Sequence, residues 1–197
     1  MHALPQHNHR TRTRTQVQHQ CAMAAVAALS AVLVLLVTAV PGAQATASPS
    51  TPKTTHIKLL WHEVVSGRHP TAIQVAGAAT TNSSKSFFGA VYVTDDLLTT
   101  TDKVPGGRSQ GTYASASKDA FALLMAMNFV FTAGEYNGSS IAIFGRNEVQ
   151  AGVREMPIVG GTGVFRWARG YALASTRKFN LKTGDADVEY NLFIRHE

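Results

Sequence analysis

Between residue 56 and the C-terminus the sequence carries four histidines, His56, His62, His69 and His196. None falls in an HxH, an HExxH or a carboxylate–histidine cluster at metal-ligand spacing. His56 and His62 share one face of an extended strand by parity, yet stand about 20 Å apart along it, too far to hold a common ion. The glycine-dense runs GRSQG (107–111) and VGGTG (159–163) lack the strand-turn-helix setting of a dinucleotide or phosphate cradle, and read as turns that exploit glycine's conformational freedom. No G-x-S-x-G elbow supplies a hydrolytic serine.

Acid–base chemistry therefore rests on carboxylates. Glu63 closes an otherwise apolar alternation, Ile57, Leu59, Trp61, Glu63 and Val65; Asp95–Asp96 follow the run FFGAVYVT; Asp185, Asp187 and Glu189 approach the last apolar segment. A carboxyl on a buried apolar face must be neutral, paired with arginine, or open to a cavity, because desolvating its charge is costly. For Glu63 a cavity role stands beside a buried ion pair or strand-end exposure, with Arg146, Arg154, Arg166 and Arg169 as possible partners.

The elements that must position these groups are strands. Residues 46–55, TASPSTPKTT, carry no apolar periodicity and read as a flexible lead-in, so the folded domain is expected over 56–197. Beyond it, short runs rich in β-branched and aromatic residues are broken by polar or glycine-containing segments: HIKLLWHEVV, FFGAVYVT (87–94), SSIAIFGR (139–146), VFRWARGYALAST (164–176) and ADVEYNLFIRH (186–196). DAFALLMAMNFVFT (119–132) mixes helix-favouring Ala, Leu and Met with strand-favouring NFVFT, and is assigned mostly to strand. In 164–176 a small-residue face opposes a bulky one, which fits either a cavity wall or a narrow core taper. Seven to nine antiparallel strands in about 140 residues make a sandwich or a closed barrel.

The N-terminal segment changes the electrostatic reading. Arg10, Arg12 and Arg14 precede an uncharged run from Cys21 to Val40 and then Ala43-Gln44-Ala45, the pattern of a secretory signal peptide over residues 1–45; a membrane anchor is the alternative. Removing those three arginines takes the formal charge from +6 to +3 and leaves no cysteine. A mature chain of that kind offers no thiol nucleophile, no disulfide and no basic patch for nucleic acid. Asn82-Ser83-Ser84 and Asn137-Gly138-Ser139 are glycosylation sequons in expected turns.

Taken together, HEVVSGRHPTAIQVAG (62–77), FGAVYVTDDLLT (88–99), GRSQGTYA (107–114), MNFVFTAGEYNGSSIAIFGRN (127–147), REMPIVGGTGVFRWARGYA (154–172) and GDADVEYNLFIRH (184–196) resemble a plant dirigent protein across nearly the whole mature chain. The resemblance implies an all-β fold, an eight-stranded antiparallel β-barrel of the dirigent, allene oxide cyclase-like kind. It also implies a pocket in each subunit, a homotrimer, secretion to the apoplast and no cofactor. Such proteins steer the coupling of phenoxy radicals, typically from coniferyl alcohol, that a separate laccase or peroxidase generates. By resemblance Glu63 matches the first pocket carboxylate, and Arg154, Tyr113 and Thr176 match the pocket arginine, tyrosine and threonine. Asn147 stands where lignan-forming members have a second aspartate, an amide that removes one acid. Other relatives close a pterocarpan ring from an isoflavanol by acid-assisted loss of water, with Glu63 and Arg154 as the matching catalytic pair. A non-catalytic wall-binding or defence role is the third reading.

Overall fold

The structure, a computed structural model, describes residues 51–197; the segment 1–45 expected to be a signal peptide and residues 46–50 of the lead-in lie outside the described residues. Nine strands follow in order: β1 (Lys53–Glu63), β2 (Ala72–Ala76), β3 (Val91–Thr99), β4 (Pro105–Ser115), β5 (Ala122–Phe131), β6 (Ser140–Glu148), β7 (Arg154–Thr162), β8 (Arg169–Phe179) and β9 (Ala186–His196). They are hydrogen-bonded in the order β1-β9-β8-β7-β6-β5-β4-β3-β2, and a further β1–β3 pairing closes the ring. The fold is an eight-stranded antiparallel β-barrel, with β2 as an added ninth strand on the free half of β3. Among the described residues no helix is long and apolar enough to cross a membrane.

Closure is asymmetric. β1 pairs with β9 over its full length, from Lys53↔His196 to Glu63↔Ala186, but with β3 only at Leu60↔Thr99, Trp61↔Leu98 and His62↔Leu97. Residues 64–71 then leave the barrel wall, and the chain rejoins β3 as β2, beginning at Ala72↔Thr94. The excursion is tied at its base by bonds from the Thr71 and Ala72 amides to the Val64 carbonyl, at 2.7 and 3.2 Å.

Period-two alternation fills the interior. Leu123, Met125, Met127, Phe129 and Phe131 of β5 point inward, as do Val188, Tyr190, Leu192 and Ile194 of β9. Phe129 and Tyr190 meet edge to face at 5.1 Å, and Phe131 with Phe165 closes one end of the barrel. Each such side chain contributes about 1.5–3 kcal/mol through burial.

Several sequence expectations shift. β1 takes in Lys53 to Thr55, ahead of His56, because the last residues of β9 extend the ladder that far. GRSQG is not a turn but the middle of β4, and VGGTG forms the end of β7 and the entry to a short 3-10 turn at Gly163–Phe165. FFGAVYVT divides: Phe87 and Gly89 take positive φ in a turn, and the strand runs from Val91 through Asp95 and Asp96 to Thr99. The strand expected over 164–176 begins only at Arg169 and continues to Phe179.

Candidate functional site

Because neighbouring strands alternate in direction, the C-terminal ends of β1, β4, β6 and β8 meet the N-terminal ends of β3, β5, β7 and β9 at one mouth of the barrel. That end collects the polar side chains. Glu63, Tyr113, Asn147, Arg154 and Thr176 line one cavity of about 490 Å³, with Trp61, Tyr92, Phe121, Leu123 and Val188 among its apolar walls. All five pocket residues expected by resemblance are thus brought together.

Arg154, at the start of β7, is buried and fully engaged on one side. Its Nε donates to the Asn147 amide oxygen at 3.0 Å, and one terminal nitrogen donates to the Thr176 hydroxyl at 2.9 Å. Burial pulls the guanidinium below its ordinary pKa, although arginine remains charged there. No carboxylate pairs with it among the described residues. Of the other arginines considered as partners for Glu63, Arg146 binds Glu148, Arg169 donates to the Val159 and Ala168 carbonyls, and Arg166 is exposed. The buried ion pair weighed for Glu63 is therefore not formed.

Glu63 is a desolvated acid. Burial raises its pKa to about 7; the Tyr113 hydroxyl draws it back in part, and the charges of Asp96 and Asp185 raise it further. Tyr113 closes no hydrogen bond of standard geometry to Oε1, which has no partner. Burial and the neighbouring Glu63 in turn push the Tyr113 phenol well above its ordinary value. Tyr113 also stacks on Tyr92, with centroids 4.8 Å apart and planes 19° from parallel, giving the cavity a flat aromatic wall.

Asp96 was missed by the sequence reading, which placed Asp95–Asp96 after a strand. Strand parity carried through VYVTDDLLT points Tyr92, Thr94, Asp96 and Leu98 inward and leaves Asp95 outside, where Arg108 binds it. Asp96 has no solvent exposure. Its Oδ1 accepts from the Thr71 hydroxyl at 2.5 Å, while Oδ2 has no partner.

Outside the barrel a groove of about 640 Å³ adjoins the mouth, lined by His62, Lys178, Asp185 and Asp187 among others. His62 is committed to the wall: Nδ1 meets Asp187 at 2.7 Å and Nε2 meets Thr99 at 2.9 Å, so one ring links β9 to β3 across β1. No group of three His, Cys, Asp or Glu side chains suited to a metal ion occurs among the described residues. The sequons fall on exposed asparagines, Asn82 and Asn137, in turns between strands.

Comparison with known proteins gives a consistent neighbourhood. The family model for dirigent-like protein matches residues 54–195. Dirigent protein 21 of Arabidopsis thaliana is 53% identical over 147 residues, covering 73% of this chain and 78% of that protein. Among solved structures, the pterocarpan synthase dirigent protein GePTS1 is 41% identical with a TM-score of 0.68, covering 74% of this chain and 91% of that one. The pterocarpan synthase dirigent protein PsPTS1 is likewise 41% identical, with a TM-score of 0.66 and coverage of 73% and 96%.

Proposed function

The chain belongs to the dirigent family, and on that premise we propose that it closes a ring in a phenolic substrate by acid-assisted loss of water, converting an isoflavanol to a pterocarpan. The observation that carries this reading is Glu63, a carboxyl raised to about 7 and set in the cavity wall, which holds a proton near neutrality. The likeness to two pterocarpan synthases supports it, and places this reading ahead of the radical coupling that the sequence put first.

The chemistry balances without an oxidant. Glu63 gives its proton to a benzylic hydroxyl, the carbon–oxygen bond breaks, and water leaves. A phenol conjugated with that carbon supplies the electron pair and gives up its proton, which restores the Glu63 carboxyl, leaving a quinone methide. A second phenol oxygen then adds to the same carbon and sheds its proton as the first phenol regains one; the net change is loss of one water. General acid catalysis of this kind contributes about 10²–10⁴-fold. Arg154, a cation with neutral partners, stabilises the phenolate as it develops.

Stereoselective coupling of phenoxy radicals from a separate laccase or peroxidase is the second reading. The Tyr92–Tyr113 stack favours it, as a face on which a phenoxy ring can lie in one orientation. One paired assay separates the two. Isoflavanol without oxidant should yield pterocarpan, and coniferyl alcohol with laccase should yield the same racemate as laccase alone. Inert isoflavanol together with an optically active dimer would reverse the order.

By family likeness the protein also works in the apoplast as a homotrimer, and its two sequons carry glycans on Asn82 and Asn137. Intact mass before and after deglycosylation tests the glycans, light scattering of the purified protein tests the trimer, and a fluorescent fusion viewed in plasmolysed plant cells tests the apoplast.

A further inference from the structure

A fully buried carboxyl beside the candidate acid is not explained by substrate contact, since Asp96 does not line the cavity. It lies on β3 opposite β1, one step beyond the His62↔Leu97 pair, so that the register sets Glu63 and Asp96 facing each other at the end of the short closing seam, the next inward positions after Trp61↔Leu98. Two carboxyls in such a place do not both ionise freely, and the hydrogen-bond donors around each decide which keeps the proton.

The donors are unequally shared. Asp96 accepts from Thr71 at 2.5 Å; the Trp61 indole and Thr94 hydroxyl, which close no hydrogen bond, and the cation of Arg108 on β4 also favour its charged form. The Thr71 hydroxyl is itself oriented by the Val64 amide, which donates to it at 2.9 Å. Glu63 has only the weakly engaged Tyr113 phenol. The remaining groups that face it are Tyr92 on β3, Tyr190 on β9 and Asp185 in the β8–β9 loop, with Arg154 and Lys182 elsewhere on the cavity wall.

We propose that Asp96 is a positioning residue for Glu63: its carboxylate, fixed across the seam by Thr71, keeps the proton on Glu63 and so maintains Glu63 as the acid of the cavity. The electrostatic balance agrees, since burial raises both groups but leaves Asp96 at about 6 and Glu63 at about 7. The donors around Asp96 favour its ionisation, and its charge then opposes ionisation of Glu63. The loop 64–71 takes part through Thr71, which gives this excursion from the barrel wall an electrostatic as well as a structural purpose.

The catalytic meaning rests on the ring-closure reading, but the pairing itself is measured without substrate. Glutamate labelled with ¹³C at the side-chain carboxyl, with the Glu63 signal identified by its loss in Glu63→Gln, reports the titration of Glu63 directly. In Asp96→Asn the Glu63 midpoint should fall by about half a unit to one unit. The alkaline limb of isoflavanol conversion should move down by the same interval. Should Asp96→Asn not fold, Thr71→Val carries the test. It removes the donor that favours the Asp96 charge, and lowers the Glu63 midpoint in the same direction. A Glu63 midpoint that stays put or rises in the folded variant overturns the inference. A midpoint that falls in a protein inert toward isoflavanol upholds the pairing and rejects the ring-closure reading instead.

Discussion

Arg154 donates to the amide oxygen of Asn147 at 3.0 Å, so this buried cation is held by a neutral partner and its field is not quenched. Asn147→Asp puts a carboxylate at that same position. The pair would neutralise the positive field where a phenolate develops, and isoflavanol conversion should fall about tenfold in kcat/KM, equivalent to about 1.4 kcal/mol. Steady-state kinetics at neutral pH provide the check. An unchanged kcat/KM would remove Arg154 from any role in stabilising negative charge.

Glu63→Gln keeps the shape of the side chain and removes its acid. Conversion should drop about 10²-fold or more, with the far-ultraviolet circular dichroism unchanged. The same variant has a stability signature. A folded-state pKa of about 7 against an ordinary 4.5 means that the folded chain holds this proton more tightly than the unfolded chain. The associated stability is full below 4.5 and is lost as pH rises through about 7. Between about pH 5 and pH 8 the wild type should therefore lose stability relative to Glu63→Gln, by about 2–3 kcal/mol. Parallel melting curves across that range would refute the desolvated acid.

Glu189 has the opposite sign. Outside the barrel it receives Arg177 at 2.7 Å, Lys58 at 3.2 Å and Asn191 at 3.1 Å. Arg177 above all holds its carboxyl down, to about 2, against the opposing effect of burial. A lowered folded pKa gives stability that is present above the ordinary 4.5 and lost as pH falls through about 2. Glu189→Gln should lower the Tm by a few degrees at neutral pH and flatten the acid limb of the stability profile. Thermal melts at neutral and acidic pH measure both effects.

The inward faces were legible wherever alternation was regular. Ile57, Leu59, Trp61 and Glu63 share the interior of β1 as their parity requires, and β9 runs from Ala186 to His196, the bounds of the ADVEYNLFIRH run. Reading failed where pairing, not composition, defines a strand. The short β2 exists because β1 leaves β3 after His62 and the freed edge of β3 takes up Ala72–Ala76. Asp96 was overlooked because two adjacent acids suggest a solvated turn; only the ladder of β3 with β4 shows that one of them must face inward. Glycine misled in the same way, since a run such as GRSQG satisfies the composition of a turn while its glycines serve close approach of neighbouring backbone.

That last point is testable at Gly107. In β4 it lies opposite Phe131 of β5, and a Cβ added there would fall inside contact distance of the Val130 carbonyl oxygen. Its backbone does not need positive φ, so the turn interpretation predicts that Gly107→Ala is tolerated or mildly stabilising through reduced freedom of the unfolded chain. The ladder predicts the reverse. The methyl group has backbone on its far side, which cannot rotate away as a flexible side chain would, so β4 and β5 must separate locally and strain their hydrogen bonds. The expected cost is about 1–3 kcal/mol. Gly134, with open space around its missing Cβ and a φ of +70°, is the control. There Gly134→Asn should be nearly neutral, because asparagine tolerates the left-handed region and meets no neighbour. Chemical denaturation of the two variants beside the wild type decides between the readings: a destabilised Gly107→Ala with a near-native Gly134→Asn supports steric exclusion by the paired strand, and a near-native Gly107→Ala rejects it.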